Sequence, residues 1–210
     1  ELEPWDFEGT PADKYPLLLH FHPLVIYRHQ VIKQADVELA MFLLGREFSL
    51  EQKRRNFDFY DPLTTSDSSL SACVQSIVAW EVGYPEKALE YLWFAALMDL
   101  SNIGGNVRDG AHLASIGGTW MAVVNGAAGM RNYGGELHFD PHPWPNLERM
   151  RFPLTFRNQS LVVDIACDVV TYTLKRGSGL TLRHRGKPLE LKPGKPVKVK
   201  LTGGRAAAKR

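Results

Sequence analysis

The chain has 210 residues, of which 44% are apolar and 23% charged, an ordinary composition for a folded protein that excludes wholesale disorder. Its 25 Lys and Arg almost balance 23 Asp and Glu, so the basic surplus of a nucleic-acid binder is missing. No apolar run reaches the roughly 18 residues that cross a bilayer, and Cys73 and Cys167 stand far apart without a CxxC, which argues against a disulfide framework or a zinc knuckle. The acidic opening ELEPWDFEGT has no apolar core of a secretory signal. These features lead us to expect a cytoplasmic protein with neither nucleic acid nor membrane as a partner.

Residues 1–32 carry Pro4, Pro11, Pro16 and Pro23, which interrupt any long helix. The same stretch is rich in aromatics and His, so it is expected to be ordered and mostly buried. Helical periodicity begins at Lys33: KQADVELAMFLLG places Val37, Met41 and Leu44 on one face and ends on Gly45. Ser49 with Gln52 three residues later is a capping box for a helix that stops before Pro62. A third helix opens in the hydroxyl cluster Thr64–Ser71 and ends at Gly83. Pro85 suits the first turn of a fourth, EKALEYLWFAALMDL. A fifth, roughly Asp109 to Ala128, is rich in Gly and Ala, which lets helices approach closely. Apolar residues on several faces of these helices predict a portion of a larger helical assembly.

After about Gly134 the period changes to two. RMRFPLTFRN, SLVVDIACD, VTYTLKRG, LTLRHRG, KPLELKPG and PVKVKL alternate and are separated by turn residues, as in a β-sandwich. The fold class is therefore mixed α and β, segregated: helices over 1–134, a small β-sandwich domain over 135–202 and a frayed basic tail over 203–210.

Three places carry candidate chemistry. Ser68 and Ser69 precede a helix, whose N-terminal N–H groups and dipole attract anions; a plain N-cap is the alternative. His112, in DGAHLASIGGTW, sits at another helix start among small residues, either as an anion donor or as a core histidine satisfied by a carbonyl. Lys33 and Gln34 begin a helix whose dipole a Lys opposes, so they serve either function or surface solvation. His20/His22 and His138/His142 are paired, but no carboxylate or Cys completes a metal site, so none is expected. No P-loop, GxGxxG or GxSxG is present, and nothing in the spacing supports a triad of Ser69, His112 and Asp109.

Taken together, PLVIYRHQVIKQADV, FDFYDPLTTSDSSLS, GNVRDGAHLASIGGTWMAVVNGAAGMR and LHFDPHPWPNLERMRFPLTFRNQSLVVDI resemble the C-terminal portion of glycoside hydrolase family 65. The resemblance runs from about Leu17 to Leu201, with KQADV, YDPLTT-x-DSSLS and DG-x-H-x-AS-x-GG-x-W in order. That family contains maltose, trehalose, kojibiose and nigerose phosphorylases. The resemblance implies the last helices of an (α/α)6 catalytic barrel followed by a C-terminal β-sheet domain. It implies phosphorolysis of an α-glucosidic disaccharide with inversion, giving β-glucose 1-phosphate. Phosphate takes the place of the base-activated water of an inverting hydrolase. Phosphate and the disaccharide are then the small-molecule partners, no cofactor is needed, and a homo-oligomer is expected.

Carried over by motif, Lys33 and Gln34 correspond to the pair that hydrogen-bonds the transferred glucose. Ser68 and Ser69 correspond to the phosphate-cradling loop, and His112 to the histidine of the same anion site. The family's general-acid Glu lies upstream of KQADV, and neither Glu1 nor Glu3 is that residue. The 210 residues therefore hold no catalytic residue of their own and need an N-terminal part, on the same or a separate chain. Two other readings are a same-family hydrolase of the trehalase or kojibiose hydrolase type and a non-catalytic carbohydrate-binding or assembly fragment. A hydroxyl-and-His pocket is poorly suited to activating water, which speaks against the hydrolase.

Overall fold

Capping and proline signals set the helix boundaries in the computed structural model, which describes residues 2–65, 68–142, 144, 146–166 and 168–201. The chain divides into two compact units, Glu1–Gly126 and Ala127–Arg210. The expected basic tail over 203–210 lies outside the described residues.

The first unit opens with two one-turn helices, α1 (Leu17–His20) and α2 (Pro23–Ile26). Longer helices follow: α3 (Asp36–Leu43), α4 (Leu50–Tyr60), α5 (Ser71–Val82), α6 (Pro85–Leu97) and α7 (Leu113–Met121), the last continued by a π-helical turn over Ala122–Ala127. Ser49 and Gln52 form the predicted capping box of α4. Gly83, at φ +89°, ends α5 in the left-handed region that favours glycine.

α5 is the central element. Ala72, Cys73, Val74, Ile77, Val78, Ala79, Trp80 and Val82 are all buried, so it has no solvent stripe. Each large apolar side chain buried in this way is worth about 1.5–3 kcal/mol. Close packing on α7 depends on glycine. A Cβ at Gly118 would lie 2.7 Å from Cys73 Sγ, and one at Gly126 would lie 2.8 Å from Trp80 Cδ1.

The N-terminal segment packs chiefly on itself. Trp5, Leu17 and Ile26 form a small core with Phe7, Tyr15, Leu18, Phe21 and Val31 half-buried against it. Trp5 meets Phe21 edge-on at 4.9 Å. The expectation of a mostly buried segment is corrected: only those three core residues are buried among its described residues, and Leu19, Leu24 and Tyr27 are exposed. Pro-broken helices of one turn are too short to bury a second face.

Polar groups also lie inside this unit. Lys53, 2% exposed, pairs with Glu81 at 2.6 Å. Asp61 accepts hydrogen bonds from Gln75 Nε2 at 3.0 Å, the Tyr91 hydroxyl at 2.7 Å and Lys87 Nζ. Glu38, on α3, is fully buried, and no side chain among the described residues hydrogen-bonds its two carboxyl oxygens. Burial raises its pKa from 4.5 to about 7; the charges of Asp61 and Asp36 add to the shift, and its own backbone N–H opposes it. The folded state therefore holds a proton that the unfolded state releases. This contribution to stability is full below about pH 4.5 and is lost as pH rises through about 7. Glu38→Gln mimics the protonated carboxyl. It is expected to raise stability at pH 8 by about 2–3 kcal/mol while changing it by less than about 1 kcal/mol at pH 5. Denaturant unfolding at both pH values checks this, and an equal change at the two would rule out the titration.

The second unit contains two four-stranded sheets. One has the order β1 (Met130–Tyr133), β2 (Glu136–Phe139), β6 (Leu180–His184), β7 (Lys187–Leu191); the other has β3 (Arg149–Phe156), β4 (Gln159–Ala166), β5 (Val169–Arg176), β8 (Val197–Lys200). All pairings are antiparallel except β2 with β6, where Leu137 is opposite Leu182. Alternation drives the fold: Leu161, Val163 and Ile165 of β4 and Val170, Tyr172 and Leu174 of β5 are buried, as are Leu137, Phe139 and Leu182 of the other sheet. The Tyr172 ring bridges the two sheets, 5.3 Å from Phe139 and with its hydroxyl 2.8 Å from His184 Nδ1. Strands begin at Met130, ahead of the predicted change of period near Gly134. Gly134 and Gly135, at φ +60° and +80°, are the two-residue turn of the β1–β2 hairpin, so they lie inside the first strand pair.

Candidate functional site

α5 and α7 run in the same direction. Gly118 faces Cys73 and, further along both helices, Gly126 faces Ile77 and Trp80. Both N-termini therefore lie at one end of the helical unit. Leu113 is five residues ahead of Gly118 and Ser71 two ahead of Cys73, so α7 starts about 4.5 Å further out at 1.5 Å per residue. α6 runs the opposite way: Ser76 Oγ donates to Ala88 O at 2.8 Å and Ser115 Oγ to Ala95 O at 3.4 Å. Its C-terminal end thus reaches the same end of the unit.

The segment ahead of α3 is tied to the segment ahead of α5. Ile32 N–H donates to Leu63 O and Thr65 N–H to Ile32 O, each at 2.8 Å. Ala35 N–H donates to Ser71 Oγ at 3.2 Å, and Thr65 Oγ1 to Lys33 O at 3.5 Å. Lys33 and Gln34 thereby stand beside the hydroxyl run. Lys33 is exposed and Gln34 half-buried. Lys33 also borders a shallow depression lined by Leu18, Ile26, Tyr27, Val31 and Thr65.

Ser68 and Ser69 are half-buried just before α5. Ser68 Oγ accepts from Leu70 N–H at 3.3 Å, a local turn contact, while the Ser69 hydroxyl has no hydrogen bond among the described residues. Ser66 and Asp67, within the TTSDSSLS run, lie outside the described residues. Ser71, which sequence reasoning placed only within the hydroxyl cluster, is the residue that fastens α5 to α3.

His112 is the residue before α7. Its partner is a carboxylate, not the carbonyl considered in the sequence. His112 Nδ1 lies 2.6 Å from Asp99 Oδ1, and its backbone N–H donates to Asp99 Oδ2 at 2.9 Å. The two hydrogen bonds from His112 hold the Asp99 carboxyl below its ordinary pKa of 3.8. Asp99 follows the C-terminal end of α6, and no motif spacing points to it. Asp109, the acid nearest His112 in the sequence, is exposed and pairs with Arg108 at 3.8 Å. No triad of Ser69, His112 and Asp109 is therefore assembled.

The other histidines have local tasks. His22 Nδ1 accepts from Leu24 N–H at 3.2 Å at the start of α2, and His138 Nε2 lies 3.5 Å from Glu136. Among the described residues, no three His, Cys, Asp or Glu side chains are grouped so as to hold a metal ion. No helix among them is long and apolar enough to cross a membrane.

Chemically, this end of the unit offers two parallel helix N-termini, hydroxyls, a lysine and an imidazole whose Nδ1 is engaged. Helix N-termini favour anions by about 0.3–1 kcal/mol each when exposed, more when partly buried. Neutral hydroxyls and N–H groups add directional donors suited to tetrahedral oxygens.

Residues 1–121 match the family model described as "Glycosyl hydrolase family 65 central catalytic domain", and residues 130–191 match "Glycosyl hydrolase family 65, C-terminal domain". The alpha,alpha-trehalose phosphorylase of Thermoanaerobacter brockii is 42% identical over 187 residues, 89% of this chain and 24% of that protein. A glycosyl hydrolase of Mycobacterium leprae (strain TN), described as uncharacterized, is 46% identical over 197 residues, 93% of this chain and 25% of that protein. The solved structure "Putative kojibiose phosphorylase from human microbiome" superposes with a TM-score of 0.89 at 31% identity, over 97% of this chain and 30% of that one. The chain thus spans about a quarter of the length of the curated relatives it matches.

Proposed function

The chain belongs to glycosyl hydrolase family 65, and from that premise we propose that it supplies the phosphate cradle and part of the glucose subsite of an inverting disaccharide phosphorylase. The observation that carries this reading is the gathering of Lys33, Gln34, Ser68, Ser69 and His112 at the end of the helical unit where α5 and α7 both begin. Lys, Gln and Ser side chains all donate hydrogen bonds, a His ring meets phosphate through one nitrogen, and none of the five is a carboxylate placed to activate water. In the reaction, a phosphate oxygen bonds to the anomeric carbon of the glucosyl unit as its bond to the leaving sugar oxygen breaks. The leaving oxygen takes a proton from a general-acid Glu carried by the part of the catalytic domain outside these residues. Donors around phosphate position it for in-line attack on the opposite face of the ring.

The helices of this unit are the last ones of an (α/α)6 barrel in this reading. Support comes from an apolar stripe on the solvent side: Trp93, Leu97 and Leu100 on and after α6, and Leu113, Ile116 and Trp120 on α7. Spacings of three and four residues align each set along one helix face. Stripes of this size normally face another packed element. The remaining barrel helices are the natural cover.

The test is to incubate the complete enzyme with trehalose, maltose, kojibiose and nigerose, with and without inorganic phosphate, and to follow anomeric signals by NMR. Trehalose comes first, given the trehalose phosphorylase relative. β-Glucose 1-phosphate is expected from at least one sugar and only when phosphate is present. The 210 residues alone are expected to release none. Free glucose formed equally well without phosphate would instead identify a hydrolase.

A further inference from the structure

We propose that Asp99 is a positioning residue that fixes the ring orientation and tautomer of His112, so that Nε2 is the nitrogen presented to phosphate; this rests on the phosphate reading above. A carboxylate only accepts hydrogen bonds, so Nδ1, 2.6 Å from Asp99 Oδ1, must carry the proton in the neutral ring. The other oxygen, Oδ2, takes the backbone N–H of the same histidine at 2.9 Å. One carboxylate thus grips both the main chain and the ring of His112 and leaves the ring no freedom to flip. In that tautomer Nε2 carries the lone pair, so it accepts a hydrogen bond from a P–OH group of hydrogen phosphate; it has no hydrogen bond among the described residues.

Asp99 is itself held. It lies in the turn that closes α6, where Ser101 N–H donates to Leu97 O at 2.9 Å, Asn102 N–H to Asp99 O at 3.2 Å and Ile103 N–H to Met98 O at 3.0 Å. The ring and the carboxylate are each about one-fifth exposed, at 22% and 20%, so the pair is partly shielded from competing water. Asparagine cannot replace it. Its amide oxygen satisfies the backbone N–H, and its NH2 group can face Nδ1 only if the ring proton moves to Nε2, which then presents a donor where the native ring presents an acceptor. The geometry asks for an anion with two equivalent acceptors.

The first test is a direct reading of the ring in the 210-residue chain with 15N-labelled histidine, the His112 signals being assigned by their loss in His112→Gln. The neutral ring is expected to be protonated at Nδ1; a neutral ring protonated at Nε2 overturns the proposal without any Asp99 variant. The second test is Asp99→Asn in the complete enzyme, compared with His112→Ala. Asp99→Asn is expected to raise the apparent constant for phosphate about tenfold while the disaccharide constant stays within about twofold. In the chain it should also redistribute the ring proton between the two nitrogens. An unchanged tautomer together with an unchanged phosphate constant overturns the proposal. If the tautomer shifts but the phosphate constant is unmoved in both variants, Asp99 still positions the ring, and it is the assignment of His112 to phosphate that falls.

Discussion

Replacing His112 by alanine in the complete enzyme is expected to raise the apparent constant for phosphate by about ten- to a hundredfold and to leave the disaccharide constant nearly unchanged. The size follows from losing one charge-assisted hydrogen bond, about 1.5–3 kcal/mol. Lys33→Ala should act in the opposite sense, raising the disaccharide constant and sparing phosphate. The motivation is positional. His112 begins α7 and its ring is anchored by Asp99, whereas Lys33 lies beside the hydroxyl run but on the exposed segment ahead of α3. Initial rates over a grid of phosphate and disaccharide concentrations separate the two constants. A phosphate constant within about twofold of wild type in His112→Ala, with a raised one in Lys33→Ala, would require the two assignments to be exchanged.

Asp61→Ala is expected to lower the stability of the helical unit by about 3 kcal/mol. The Asp61 side chain is only 2% exposed and gathers Lys87, Tyr91 and Gln75 from two neighbouring helices. Lys87, 41% exposed, can turn to water once its partner is gone, which limits the cost of the orphaned charge. The Tyr91 hydroxyl and the Gln75 amide lose a buried acceptor, each costing about 1–3 kcal/mol, and a small cavity adds to this. Asp61→Asn retains one oxygen for Gln75 and Tyr91, so its loss should be smaller, about 1–2 kcal/mol. Urea unfolding monitored by tryptophan fluorescence reports mainly on this unit, which holds Trp5, Trp80, Trp93 and Trp120. An Asp61→Ala midpoint unchanged within error would show that the cluster contributes nothing net.

Much of the helical unit could be read locally because its signals act over a few residues. The Ser49–Gln52 box, Pro85 in the first turn of α6 and Gly83 after α5 each satisfy or terminate hydrogen bonds within one turn, and each marks a boundary of the structure. Strands β3 to β8 were equally legible, because alternation of two is a property of consecutive residues. The first hairpin escaped because each of its strands is only four residues long, and Gly134–Gly135 resembles a linker as much as a turn.

The family, the order of helices before strands, and the choice of Lys33, Gln34, Ser68, Ser69 and His112 as candidates came from the residue string, where motif and period are enough. Asp99 as the partner of His112, Ser71 as the clasp on Ala35, and the enclosed Asp61 and Glu38 could come only from the packed chain. The contacts of Asp99 and Ser71 join residues 13 and 36 positions apart. Neither a helical nor a strand period relates such residues. Which of them meet is settled by the direction of α5, α6 and α7 and by the glycines that let α5 and α7 close on each other. Burial of Glu38 likewise depends on which helices cover α3, a consequence of packing that its own neighbours in the sequence do not encode.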